Sequence, residues 1–159
     1  MNIVAALQKT FLFKDFPTAE LEKLASVTKY EKRAAESILF REGDEGTQFF
    51  LIVFGSVRVL KKNTDGVDEE VATLATGSYF GEMAMVVDDK HERTASIVTQ
   101  EQTELLTLAQ ADVQPLFAKD DRLAHHFFRA MCKGLTRRLS ATSQDAAFFK
   151  ALARKHHGH

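Results

Sequence analysis

Ser37-Ile38-Leu39-Phe40-Arg41-Glu42-Gly43-Asp44-Glu45-Gly46-Thr47-Gln48-Phe49-Phe50-Leu51-Ile52-Val53-Phe54-Gly55-Ser56-Val57-Arg58-Val59 places short runs of Ile, Leu, Val and Phe between glycine turns. Apolar runs of this length, rich in β-branched and aromatic residues and bounded by Gly and Asp, read as strands. Val57 and Val59 flank Arg58, the period of two expected of a half-buried strand. Farther on, Asp65-Gly66 within Asn63-Thr64-Asp65-Gly66 separates Arg58–Lys61 from Val71–Leu74, which marks a hairpin. Thr76-Gly77-Ser78 supplies one more turn. Residues 37–108 are therefore expected to form several short antiparallel strands, a sandwich or a roll.

Helical spacing takes over on both sides of this block. Phe11, Leu12, Phe16, Leu21, Leu24 and Val27 recur at helical intervals, so residues 1–32 are read as helical. Thr18, following Pro17, is the expected N-cap of the second of two short helices there. Downstream, Asp112 is read as an N-cap with Pro115 in the first turn, where proline is tolerated. Asp120 or Asp121 is then expected to cap a long helix beginning near Leu123. The helical region is placed at residues 112–149, with a solvated tail at 150–159. The fold class expected is mainly β with flanking α. It is an antiparallel, jelly-roll-like β-roll with N-terminal helices and a long C-terminal helix, a single domain over residues 1–159.

Composition narrows the function classes. At 159 residues the chain can bury a core without metals or disulfides. Thirteen Phe against two Tyr and no Trp favour a core of rings without hydrogen-bonding demands. A net charge of −1 gives no electrostatic reason to expect nucleic acid. Cys132 is the single cysteine, so no intrachain disulfide forms and a reducing, cytoplasmic setting is expected. The longest apolar run, Phe49 to Phe54, is too short for a membrane span, and Met1–Lys9 lacks the features of a signal peptide. No membrane partner is expected.

The chemistry is concentrated in Phe80-Gly81-Glu82-Met83-Ala84-Met85 and Arg93-Thr94-Ala95-Ser96-Ile97. A cyclic nucleotide offers a singly charged phosphate, a free ribose 2′-hydroxyl and a flat base. Its phosphate calls for an arginine fork and for backbone N–H groups at a helix start. Its ribose calls for a carboxylate acceptor, and close approach of backbone calls for glycine. Gly81 permits the approach, Glu82 accepts from ribose, and Met83, Ala84 and Met85 form one helical turn. Arg93 supplies the fork and Thr94 a hydroxyl, with Ala95 beside them.

This arrangement resembles the phosphate-binding cassette of the cyclic-nucleotide-binding family, which includes the catabolite activator protein and kinase regulatory subunits. The resemblance extends to Ser37–Asp44, Phe49–Ile52 and Gly55–Val59, which look like that family's first strands and glycine turns. It implies a module that binds cAMP, or less favourably cGMP, moves its C-terminal helices and signals to a downstream protein whose identity is unknown. The separation of Glu82 from Arg93 is longer than in most members, and Val87-Asp88-Asp89-Lys90-His91-Glu92 is read as a polar loop.

Blander roles compete for each residue. Arg93 alone could be a strand-edge arginine paired with Glu92 or Asp89, Glu82 a helix-start carboxylate, and Thr94 a strand threonine. Gly43, Gly46 and Gly55 are assigned to turns, and Phe80 and Met85 to the core. The six histidines raise a cupin-like metal site. However, His125 and His126 are adjacent on a helix, His91 stands alone, and His156, His157 and His159 sit in the tail. No metal, no cofactor and no catalysis are expected, since no nucleophile stands beside a base.

Two stripes run along the last helix. Leu123, Phe127 and Met131 are expected to dock on the roll. Phe128, Cys132, Leu135, Leu139, Thr142, Ala146 and Phe149 alternate spacings of four and three, the seam of a two-stranded coiled coil and hence of a homodimer. Arg137-Arg138-Leu139-Ser140-Ala141-Thr142-Ser143 resembles the dimer helix of the catabolite-activator members, which implies that Thr142 or Ser143 contacts the base. That pair points to cAMP and Thr94 to cGMP; cAMP is selected. The residues after the seam leave no room for a helix-turn-helix, so DNA is not an expected partner. A regulatory domain of a longer chain, or an interaction scaffold with a non-binding pocket, are the alternatives.

Overall fold

The computed structural model describes residues 1–87 and 90–156. Two short helices, α1 (Ile3–Gln8) and α2 (Thr18–Ala25), precede eight strands. These are β1 (Thr28–Arg33), β2 (Ile38–Phe40), β3 (Gln48–Phe54), β4 (Ser56–Lys62), β5 (Asp68–Ala75), β6 (Tyr79–Phe80), β7 (Ser96–Thr99) and β8 (Thr103–Ala109). A one-turn helix, α3 (Met83–Val86), lies between β6 and β7, and α4 (Gln110–Lys119) and α5 (Asp121–His156) follow β8. The strands form two antiparallel four-stranded sheets, β1-β8-β3-β6 and β2-β7-β4-β5. The expected roll with flanking helices and a long last helix is the observed architecture.

Strand β3 shows why its run is apolar throughout. Alternate side chains of a strand face opposite ways, and here both faces are covered. Phe49 and Leu51 join Phe13, Leu21, Leu24, Leu106, Leu123 and Phe127 beneath the helices, whereas Phe50 and Ile52 meet Val57, Phe80, Ile97 and Leu105 between the sheets. The stripe of Leu123, Phe127 and Met131 is fully buried on the first of these clusters, as its spacing predicted. Asp65-Gly66 lies in the turn between β4 and β5, with Gly66 at φ 77°.

The helical reading of residues 1–32 fails at its end. The chain leaves α2 at Ala25, and Thr28 to Arg33 pair with β8 in register from Thr28↔Leu108 to Arg33↔Thr103. Only Thr28 of this edge strand is buried, so its polar sequence carries little alternation for a pattern to detect. Thr18 is the first residue of α2 rather than its cap, because the Glu20 and Leu21 amides donate to the Pro17 carbonyl at 3.0 and 3.1 Å. Helix α4 begins at Gln110, directly from β8, which places Asp112 inside the first turn and Pro115 in the second. There the proline removes an intrahelical bond. Asp120 does cap α5, accepting from the Leu123 amide at 3.0 Å. The expected tail at 150–159 is helical through His156; His157 and His159 lie outside the described residues.

Candidate functional site

Arg93 is held from both directions along the backbone. Its amide donates to the Asp44 carbonyl at 2.7 Å, its carbonyl accepts from the Gly43 amide at 2.8 Å, and Gly46 donates to His91 at 3.1 Å. The turn that grips it is closed by Asp44, whose carboxylate accepts from the Arg41 amide at 2.9 Å. Gly43, at φ 89°, and Gly55, at φ 97°, take the left-handed conformation that favours glycine, as turn glycines should. Gly46 has a different role. A Cβ there would lie 2.6 Å from Arg93 Cζ, so its bare backbone is one wall of the slot that holds the guanidinium. Gly81, at φ 75°, is the other wall, since a Cβ would fall 2.8 Å from both Arg93 Nη1 and the Gln48 carbonyl.

Within this slot Arg93 is only 6% exposed. Its Cζ lies 4.1 Å from the Phe40 ring centroid, and Nη2 donates to the Gln48 carbonyl at 2.8 Å. Nε and Nη1 are buried with no hydrogen-bond partner among the described residues. No ion pair to Glu92 holds it, and Asp89 lies outside the described residues, as does Asp88 of the same loop. Burial pushes the guanidinium below its usual value, against the nearby Glu82 and Asp44 carboxylates; the group nonetheless stays protonated. A buried cation with two unused donors is costly to retain. It is the feature of this surface most in need of an anion.

Beside it, Gly81 and Glu82 lead into α3 through Ala84 N–H to the Gly81 carbonyl at 3.2 Å and Met85 N–H to Glu82 at 2.9 Å. Glu82 Oε1 accepts from Arg138 Nη1 of α5 at 3.0 Å. Arg138 also donates to the Tyr79 carbonyl and lies 4.2 Å over the Tyr79 ring. Together these groups surround a cavity of about 170 Å³ between the sheets and α5. Gly81, Glu82, Met83, Arg93, Thr94 and Ala95 all line it, and its apolar wall is Phe40, Val59, Phe80 and Ile97.

The structure thus brings six of the nine expected site residues to one cavity. Ala84 is buried behind it in the core, with its amide already used. Thr142 and Ser143 are exposed on α5 and do not line the cavity within one chain; the Thr142 hydroxyl donates to the Arg138 carbonyl at 2.9 Å. Phe80 stacks on Phe50 at 4.9 Å and forms wall as well as core. Met85 is core. Arg138, Phe40 and His91 belong to the site without having been singled out for it. Arg138 stands one turn before Thr142, and only the course of α5 shows that it is the arginine that reaches Glu82.

A model of the family described as "Cyclic nucleotide-binding domain" matches residues 30–120. The chain belongs to this family. Among curated relatives, cGMP-dependent protein kinase, isozyme 1, of Drosophila melanogaster is 40% identical over 99 residues, covering 61% of this chain and 13% of the kinase. The cyclic AMP receptor protein of Thermus thermophilus is 34% identical over 97 residues, covering 61% of this chain and 44% of that protein. The chain therefore spans less than half of either relative. Among solved structures, a cyclic nucleotide-binding domain from Methylobacillus flagellatus superposes with a TM-score of 0.78 at 27% identity, covering 90% of this chain and 79% of that one. Gly81 to Ala95, where the phosphate-binding cassette is expected, falls inside the matched span. No helix among the described residues is long and apolar enough to cross a membrane.

Proposed function

We propose that this domain binds a cyclic purine nucleotide in the cavity between α3, Arg93 and α5, and acts as a regulatory module rather than a catalyst. The observation that carries the reading is Arg93: buried, cationic, and with Nε and Nη1 unpartnered. A cyclic phosphate offers two oxygens at the spacing of that fork. Gly81 lets the backbone close on the phosphate, Thr94 adds a hydroxyl, and Glu82 accepts from the ribose 2′-hydroxyl.

Arg138 gives the signal a route. It engages one oxygen of Glu82, and a carboxylate has a second oxygen for ribose. Ligand on Glu82 therefore acts directly on the residue that tethers α5, and the long helix carries the change onward to a protein partner. Phe128, Leu139 and Phe149 of the expected seam are exposed in the single chain, which supports pairing of two α5 helices. In that dimer, Thr142 and Ser143 meet the base and select cAMP; without it, Thr94 selects cGMP.

Calorimetric titration of the chain with cAMP and with cGMP, alongside Arg93→Ala, tests the proposal. Saturable binding that is lost in the variant is expected, with cAMP the tighter ligand. Undiminished binding in Arg93→Ala overturns the assignment of the site, and no binding of either nucleotide to the wild type overturns the proposal and leaves the fold as an interaction scaffold.

A further inference from the structure

A larger cavity, of about 350 Å³, lies on the other side of Tyr79, between the segment joining α1 to α2 and the first half of α5. It shares no lining residue with the cyclic nucleotide site. Its inner wall is apolar, formed by Leu12, Phe16 and Ala130 with the exposed ring of Phe11 at the edge. The volume is that of a pocket that encloses a small organic molecule.

Two further observations say what kind of molecule. First, Lys14, Arg129, Lys133 and Arg137 stand around the opening, with Asp15 the one carboxylate among the lining residues. None of the four cations has an ion-pair or hydrogen-bond partner among the described residues, whereas His126 in the same wall is held by Glu20 at 2.7 Å. Arg129, Lys133 and Arg137 follow one another at intervals of four on one helix face, where like charges repel and destabilise the helix. Second, Tyr79 is 5% exposed, and its hydroxyl has no hydrogen-bond partner among the described residues. The ring reaches the cavity wall because position 134 is glycine, where a Cβ would fall on the hydroxyl oxygen. An orphaned buried hydroxyl is costly to keep.

From these features we infer that the domain has a second ligand site, for a small amphipathic anion with a flat or short-chain apolar body and one acidic head. The body lies against Leu12, Phe16 and the Phe11 ring, the head meets the cations of α5, and the Tyr79 hydroxyl gives the floor one polar point. The site is independent of the cyclic nucleotide reading, because Arg93, Glu82 and Thr94 take no part in it.

The test uses 8-anilinonaphthalene-1-sulfonate as the acidic probe and N-phenyl-1-naphthylamine as its uncharged counterpart, titrated by fluorescence into the full chain. The sulfonate should bind at one site per chain, the amine at least tenfold more weakly. Arg129→Glu with Lys133→Glu should weaken the sulfonate by about tenfold or more, through replacement of two attractions by two repulsions. Both positions are exposed and unpaired, and an unchanged urea midpoint verifies the fold of the double variant. Raising the salt concentration on the wild type must weaken the sulfonate in the same direction. Arg93→Ala should leave it unchanged. Amide shifts on ligand addition should fall on residues 11–17 and 126–137. Equal binding of the two probes, indifference to the charge reversals and to salt, loss in Arg93→Ala, or shifts gathered at residues 139–152 would each overturn the assignment.

Discussion

Replacing Arg93 by methionine should make the ligand-free protein more stable while destroying its binding function. The substitution removes the charge and keeps an unbranched, adaptable stem against Phe40 and Phe50, the two rings that flank the guanidinium. An uncompensated buried charge costs roughly 3–5 kcal/mol. Against this stand one charged hydrogen bond to the Gln48 carbonyl, about 1.5–3 kcal/mol, and the Phe40 contact, about 0.5–2 kcal/mol. Taking the middle of each range leaves a net penalty of about 0.5 kcal/mol, and Arg93→Met should recover it. Binding moves the other way. Loss of a buried charge partner costs about 2–5 kcal/mol, a drop in affinity from about thirtyfold to several thousandfold. Urea unfolding with and without cyclic nucleotide reads both effects. The variant should have the higher midpoint alone, and the wild type the higher midpoint with ligand, since saturating ligand at a hundred times its Kd adds about 2.7 kcal/mol. If Arg93→Met instead unfolds at a lower urea concentration without ligand, the guanidinium is not an unmet charge, and the reasoning that makes it the anion site fails.

Four other outcomes are expected. Gly46→Ala places a Cβ 2.6 Å from Arg93 Cζ; because the buried guanidinium must shift in its slot, stability should fall by about 1–3 kcal/mol, while calorimetry should record about a tenfold loss of nucleotide affinity. Arg138→Ala removes the group that orients Glu82 and should weaken nucleotide about three- to tenfold, with faster hydrogen exchange in α5 in the liganded state; unchanged exchange would refute the tether. Asp120 is held below the ordinary carboxylate value by its hydrogen bond from Lys23, with the Leu123 amide adding to it. A lowered acid contributes stability that is present above its unfolded pKa, near 3.8, and lost as pH falls through the folded one. Asp120→Asn keeps a capping oxygen but removes the charge, so it should flatten the acid side of the stability profile, and an identical profile would refute the Lys23 pairing. Leu139→Glu puts a charge on a residue 69% exposed in the single chain; light scattering should show a dimer in the wild type and a monomer in the variant.

Much of the molecule was legible without coordinates because its signals are local. Strand β3 announces itself through six consecutive apolar residues, the β4–β5 hairpin through Asp-Gly, and the docked face of α5 through Leu123, Phe127 and Met131. The candidate site is equally compact, since Gly81, Glu82, Arg93, Thr94 and Ala95 lie close in the chain and line one cavity. The end of α5 was misplaced: residues 150–159 were expected as a tail, although Lys150-Ala151-Leu152-Ala153-Arg154-Lys155 consists of helix formers and the helix runs on through His156.

Other features arise only when distant segments meet. Strand β1 is polar, and its identity comes from the free edge of β8 rather than from any periodicity of its own. Gly46 looks like a turn glycine until Arg93, 47 positions later in the chain, is laid against it. Arg138 becomes part of the site because packing of Leu123, Phe127 and Met131 sets the path of α5 and carries the helix past Glu82. Sequence alone determined which residues could bind an anion, the strand β3, the β4–β5 hairpin and the docked stripe of α5, because those depend on residue chemistry and short-range pattern. Tertiary structure alone decided that Arg93 is buried with its donors unmet, since desolvation and the absence of a partner are properties of a whole surrounding surface and not of any stretch of chain.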